Sequence, residues 1–181
     1  FDVFRASIRY ASVSDGEWRG HDLNGFNFSG SSLNNILFSQ CQLHDVVITD
    51  LDASDVQVKL CQPVKVKGER LRGCISFLNC PQVEVDVKSP GDLAMEFVNC
   101  SYVKLNIATN KRAVSGNIEL SFRNCDDIAK LFLKNLQITK LHIEGCKYHT
   151  ININGSRVWY RIQESKCLST IEWTENRKTT R

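Results

Sequence analysis

Twelve apolar residues fall at every fifth position from the start of the chain: Val3, Ile8, Val13, Trp18, Leu23, Phe28, Leu33, Phe38, Leu43, Ile48, Ala53 and Val58. Two residues ahead of each runs a second series, from Phe1 and Ala6 through Phe26, Ser31, Ile36, Cys41, Val46 and Leu51 to Val56. It is small or apolar except at His21, and the other three positions of each unit are mainly polar. A helix repeats every 3.6 residues and a strand every 2. Neither keeps a five-residue phase over twelve units. A chain that turns a corner every five residues does, with two side chains of each unit inward. Its apolar face is buried only when successive turns stack. His21, in the inward series, is expected to be packed and hydrogen-bonded.

After Val58 the fives stop, because Pro63 and Gly68 occupy the next two expected positions. A longer period replaces them in "ISFLNCPQVEVDV", "MEFVNCSYVKLNI", "LSFRNCDDIAKLF" and "LHIEGCKYHTINI". Phe77, Phe97, Phe122 and Ile143 are equivalent in these segments, as are Asn79, Asn99, Asn124 and Gly145. Alternating runs such as Val83-Val85-Val87 and Val103-Leu105-Ile107 follow with the period of a strand. The expected fold is all-β, one continuous parallel β-helix. It comprises tight coils over residues 1–61, irregular longer-stranded coils over 62–174 and a basic tail over 175–181. Eight or nine coils about 4.8 Å apart predict a rod of about 40 Å.

The units "SSLNN", "CQLHD" and "LDASD", and "FNFSG" with an aromatic in the small position, resemble the pentapeptide-repeat family and its loose A(D/N)LXX unit. The resemblance covers residues 1–61. It implies that four units make one square coil of a right-handed parallel β-solenoid, with about twenty residues per turn. Residues 1–20 lack the small polar consensus, as in "GEWRG". Two uses of such rods follow from the resemblance. Some serve as recognition parts of larger proteins, bacterial ubiquitin-ligase effectors among them. Others bind type II topoisomerases as acidic rods shaped like a nucleic-acid duplex.

Seven of the eight cysteines, Cys41, Cys61, Cys80, Cys100, Cys125, Cys146 and Cys167, recur 19 to 25 residues apart, with Cys74 outside the series. Zinc sites use paired ligands such as C-x2-C, and no such pair occurs. One cysteine per coil instead predicts a ladder of reduced, packed thiols, hence a cytosolic setting, or the host cytosol for part of a secreted effector. The sequons at Asn27, Asn99 and Asn154 are short enough to arise by composition. Asn79, Asn99 and Asn124 are expected to form a turn ladder whose amides satisfy backbone groups. At coil spacing, Asp45 should oppose Lys65, and Asp50 should oppose Arg70.

Charge is uneven. Residues 1–58 hold eight acidic residues and three arginines, and none of the cations lies between Asp22 and Val58. The net charge of +3 therefore divides into −5 and +8. Nucleophile, phosphate-loop and metalloprotease motifs are absent from the sequence. The four histidines are scattered, and a site around Cys146 with His142 and His149 is the only His/Cys grouping. No catalytic residue, metal or cofactor is expected, and no run of apolar residues is long enough for a membrane helix. Candidate contacts are the inserted segment with Lys111 and Arg112, the basic group Lys65, Lys67, Arg70 and Arg72, and the acidic Asp45, Asp50 and Asp55. Trp159, Tyr160 and Trp173 are expected to cap the open end. The expected function is a non-catalytic protein-binding scaffold, a module of a longer chain since Phe1 is not Met, with another protein as partner and no direct nucleic-acid contact. Topoisomerase-binding mimicry is the alternative, and a carbohydrate-processing β-helix enzyme is third.

Overall fold

The computed structural model describes residues 7–110, 116–163 and 165–174. Its strands are β1 (Ser12–Arg19), β2 (Ser32–Ser39), β3 (Leu43–Val47), β4 (Asp52–Lys59), β5 (Val64–Glu69), β6 (Arg72–Leu78), β7 (Gln82–Lys88) and β8 (Leu93–Val98). They continue with β9 (Tyr102–Ala108), β10 (Asn117–Arg123), β11 (Ile128–Lys134), β12 (Gln137–Glu144), β13 (Lys147–Asn154), β14 (Arg157–Gln163) and β15 (Lys166–Thr174). Sheet I runs β1-β2-β4-β6-β8-β10-β12-β14, and sheet II runs β3-β5-β7-β9-β11-β13-β15. Every named pairing is parallel. Each coil after the first described one thus gives one strand to each sheet. The result is an all-β solenoid of about seven turns, about 34 Å long at about 4.8 Å per turn. Eight or nine coils were expected of the whole chain; the described residues give about seven, since the coil between Asn99 and Asn124 takes 25 residues and residues at both ends lie outside the described ones.

The five-residue phase is written in the backbone. Positive φ recurs at every fifth residue from Tyr10 to Leu60, through Asp15, Gly20, Gly25, Gly30, Asn35, Gln40, Asp45, Asp50 and Asp55. These are corners. Left-handed backbone is cheapest for Gly, Asn and Asp, which fill eight of the eleven positions. The corner amides donate to the next coil, as in Gly25 N–H to the His44 carbonyl at 2.7 Å and Asp50 N–H to that of Glu69 at 2.8 Å. Tyr10, Asp15 and Gly20 keep the phase, so the first described coil is regular without the small polar consensus.

Beyond Leu60 only two corners per coil survive. They continue at Arg70, Asn79, Ser89, Asn99, Asn124, Asn135, Gly145 and Gly155. Two corner columns end at the coil after Pro63. His44 and Asp45 face one residue, Lys65, between the pairs Leu43↔Val64 and Val46↔Val66. Ser54 and Asp55 face only Cys74, between Ala53↔Gly73 and Val56↔Ile75. A square coil thereby becomes a two-sided one with longer strands in sheet II.

Both inward series are buried from Leu23 to Val58, and the core continues through Phe77, Phe97 and Phe122 to Ile153. The three phenylalanine rings stack 5.0 and 4.8 Å apart, within 10° of parallel. A small apolar void of about 50 Å³, lined by Phe38, Val46, Val66 and Phe77 among others, marks the change of cross-section. His21 departs from expectation: it is exposed and meets Trp18 edge-on at 6.3 Å. Its coil is the first described one.

Candidate partner-binding surface

The charged residues picked out by sequence meet one another. Lys65 lies 3.6 Å from Asp45, and Arg70 donates to both oxygens of Asp50, one at 2.6 Å. The same spacing brings Arg72 to 2.9 Å from Asp52. Arg70 holds the Asp50 carboxyl below its ordinary range, chiefly by donating to it. All these side chains are about half exposed, so solvent screens each pair and it adds little to stability. Their larger effect is electrostatic. Two groups expected as separate partner sites form one seam along the third coil, largely neutralised. Lys67 stands opposite Asp86 in the ladder. Asp55 lies off the seam, near Cys74. The extra residues of the long coil fall between Ala108 and Asn117, where β9 ends and β10 begins. Lys111 and Arg112 lie outside the described residues, as do residues 175–181; the side chains of Trp159, Tyr160 and Trp173 do too.

Sequence reasoning missed a depression on the outward face of sheet I. It has a volume of about 220 Å³ and is lined by Cys74, Ser76, Ala94, Glu96, Glu119, Ser121 and Lys140, with backbone from Met95 and Leu120. Register explains it. Cys74, Ala94 and Glu119 form one outward column, and Ser76, Glu96 and Ser121 the next. Small residues at Cys74, Ser76, Ala94 and Ser121 leave the hollow. Their coil spacing was the available signal. Arg123 pairs with Glu96 at the rim. Partial burial, then the charges of Asp55, Glu96 and Glu119, push the Cys74 thiol up.

The cysteine ladder is internal. Cys41, Cys61, Cys80, Cys100, Cys125 and Cys146 are buried free thiols. From Cys61 to Cys125 each sulfur donates to the carbonyl two residues back and to one on the preceding coil, as Cys61 does to Lys59 and Phe38 at 3.4 Å. Burial pushes Cys61 up to about 11 and Cys80 up to about 12. Cys125 is pushed up chiefly by its side-chain hydrogen bonds with Cys100 and Cys146, and then by burial. Cys167 does not belong to the ladder. It stands opposite Tyr148, and Lys166 opposite Lys147, so Ser165 takes the ladder position and accepts from the Cys146 amide at 3.2 Å. The asparagine ladder also differs in detail: Asn99 donates to the Asn79 side chain at 3.1 Å rather than to backbone.

No metal centre forms around Cys146. Its sulfur donates inward to the Glu144 carbonyl, while His142 meets the Glu144 carboxylate at 3.2 Å and His149 meets Asp127 at 3.3 Å. Among the described residues, no three His, Cys, Asp or Glu side chains are grouped to hold a metal ion. No family model, curated protein or solved structure matches this chain.

Proposed function

We propose that this chain is a non-catalytic protein-interaction scaffold, a recognition module of a longer protein whose N-terminal coils are of the pentapeptide-repeat type. The observation that carries the reading is how the surface chemistry is distributed. The inward columns repeat a fixed apolar pattern, while the outward columns change from coil to coil. They pass from the neutral seam of Asp45, Asp50, Lys65 and Arg70 to the hollow over Ala94 and the lysines of sheet II. A repeat rod offers extended faces of this kind to partners. The free thiols suit a cytosolic setting, the host cytosol for a secreted effector.

The test is affinity capture by the folded chain, with two variants that keep the fold: Ala94→Arg, which fills the hollow, and Lys130→Glu with Lys134→Glu. A partner retained by wild type and lost from one variant supports the scaffold. Capture that is equal for wild type, both variants and a heat-unfolded control would overturn it.

Mimicry of nucleic acid toward a type II topoisomerase is the second reading, favoured by the cation-free stretch from Asp22 to Val58. Ion pairs with the third coil spend three of its carboxylates, Asp45, Asp50 and Asp52. Supercoiling by gyrase is therefore expected to proceed unchanged with the chain in excess.

A further inference from the structure

We propose that the outward face of sheet II from β9 to β15 docks an extended acidic polypeptide, with carboxylates spaced to meet Lys130 and Lys134 and an apolar residue between them over Phe132. This rests on the scaffold reading and names the chemistry of its partner.

The argument begins with neighbours across coils. In the earlier coils, facing charges are opposite: Asp45 with Lys65, Asp50 with Arg70, Asp52 with Arg72 and Glu84 with Lys104. Further along sheet II the rule reverses. Lys104 stands opposite Lys130, and Lys147 opposite Lys166. Lys104, Lys130, Lys134, Lys147 and Lys166 are all exposed. Like charges directly opposed on neighbouring strands destabilise a sheet, so nothing in the fold calls for this arrangement. An anionic partner would relieve it.

The spacing fits a peptide. Alternate residues of a strand lie about 6.8 Å apart. Lys130, Phe132 and Lys134 share one outward row of β11, the lysines about 13 Å apart. Phe132 is half-buried, and the Lys130 ammonium lies 5.7 Å from its ring centre. Asn106 and Asn152 flank it on the neighbouring strands. An extended segment laid along β11 with Glu at i and i+4 and Leu at i+2 would satisfy all three.

A polypeptide is favoured over nucleic acid for two reasons. The cations of this face are all lysines, which lack the bidentate fork of arginine, and its described aromatics, Tyr102 and Phe132, are too few for a series of stacking platforms. The carboxylates of Asp126 and Asp127, beside the start of β11, would also repel a continuous phosphate backbone.

The experiment is fluorescence anisotropy with three labelled probes: a Glu-Ser-Leu-Ser-Glu repeat, its Lys-for-Glu counterpart and an oligo-dT of equal length. The acidic peptide should bind saturably and weaken as salt rises, the Lys peptide should not bind, and oligo-dT should bind at least tenfold more weakly. Lys130→Glu with Lys134→Glu should weaken the acidic peptide at least tenfold. Lys59→Glu, an exposed residue on sheet I, should stay within twofold. Lys130→Glu alone creates an unlike pair with Lys104, so melting should rise by about 1–3 °C while binding falls. That opposition would not arise from a folding defect. Binding of oligo-dT equal to that of the peptide, no saturable peptide binding, or full binding by the double variant would each overturn the proposal. A captured partner that survives the double variant would overturn this surface and leave the scaffold reading standing.

Discussion

Replacing Phe97 with alanine tests whether stacking of coils holds the rod together. Phe97 is wholly buried, its ring 5.0 Å from Phe77 and 4.8 Å from Phe122. Truncating a buried Phe to Ala costs about 3–5 kcal/mol where the site relaxes incompletely. Coils tied above and below by a continuous ladder have little freedom to collapse, so about 4 kcal/mol is expected. Phe97→Leu separates packing from stacking. It keeps most of the apolar volume and loses two aromatic pairs, each about 0.5–1.5 kcal/mol beyond area, for a cost of about 1–3 kcal/mol. Equilibrium urea unfolding followed by circular dichroism measures both, with an unchanged m-value showing that only stability moved. A double-mutant cycle with Phe77→Leu should give a coupling of at least about 0.5 kcal/mol. A loss below about 1 kcal/mol for Phe97→Ala, or no coupling, would refute the view that the rings act as one ladder.

Leu60 occupies a corner at φ 55° and is one of two exposed large hydrophobics among the described residues. Leu60→Asn should stabilise by about 1 kcal/mol, because asparagine tolerates this backbone and extends the Asn79–Asn99 column; a lower melting temperature would count against it. Gly73→Ala should abolish or severely weaken folding, since its Cβ would lie 1.8 Å from the Ala53 carbonyl oxygen. Gly20→Ala, with open space around it, should cost only about 1 kcal/mol, and equal effects in thermal melts would refute the contact. The raised thiols make stability pH-dependent: the folded state holds protons that the unfolded chain releases near pH 9. This stability is present below pH 9 and is lost as pH rises toward about 11 and 12. Urea midpoints between pH 8 and 10.5 should fall for wild type and flatten in Cys61→Ala with Cys80→Ala; parallel curves would rule the thiols out.

The inward residues were legible because burial imposes one rule on every coil. Leu33, Phe38 and Leu43 could be assigned inward from spacing alone, and their near-complete burial follows. The Asp45–Lys65 and Asp50–Arg70 pairs were legible for the same reason, since both lie at coil spacing on exposed columns. What failed depended on neighbours rather than on period. His21 is in phase but stays exposed beside Trp18, while Leu23 and Phe26 of the same coil are buried. Cys167 is twenty-one residues past Cys146, yet the bulge between Tyr148 and Thr150 leaves Ser165 on the ladder. The hollow over Ala94 is made by what small side chains leave empty, and empty space has no residue to mark it.

The change of cross-section shows how little sequence is needed to redirect a solenoid. Cys61 and Cys80 are 19 residues apart, where Cys41 and Cys61 are 20. That missing residue is the lost corner at Asp55, where two residues of β4 face one of β6. On sheet II, Pro63 shifts the pairing to Leu43↔Val64, and the corner at Asp45 then vanishes opposite Lys65. With two corners gone, the strands of sheet II lengthen from the five residues of β3 to the seven of β7 and the eight of β13, while those of sheet I, eight residues already in β2 and β4, do not. A longer strand presents more outward positions in one row. β3 sets out few side chains between its corners, whereas β11 aligns Lys130, Phe132 and Lys134 on a single flat row. The flattening that ends the five-residue phase is therefore also what makes the later coils wide enough to seat an extended partner.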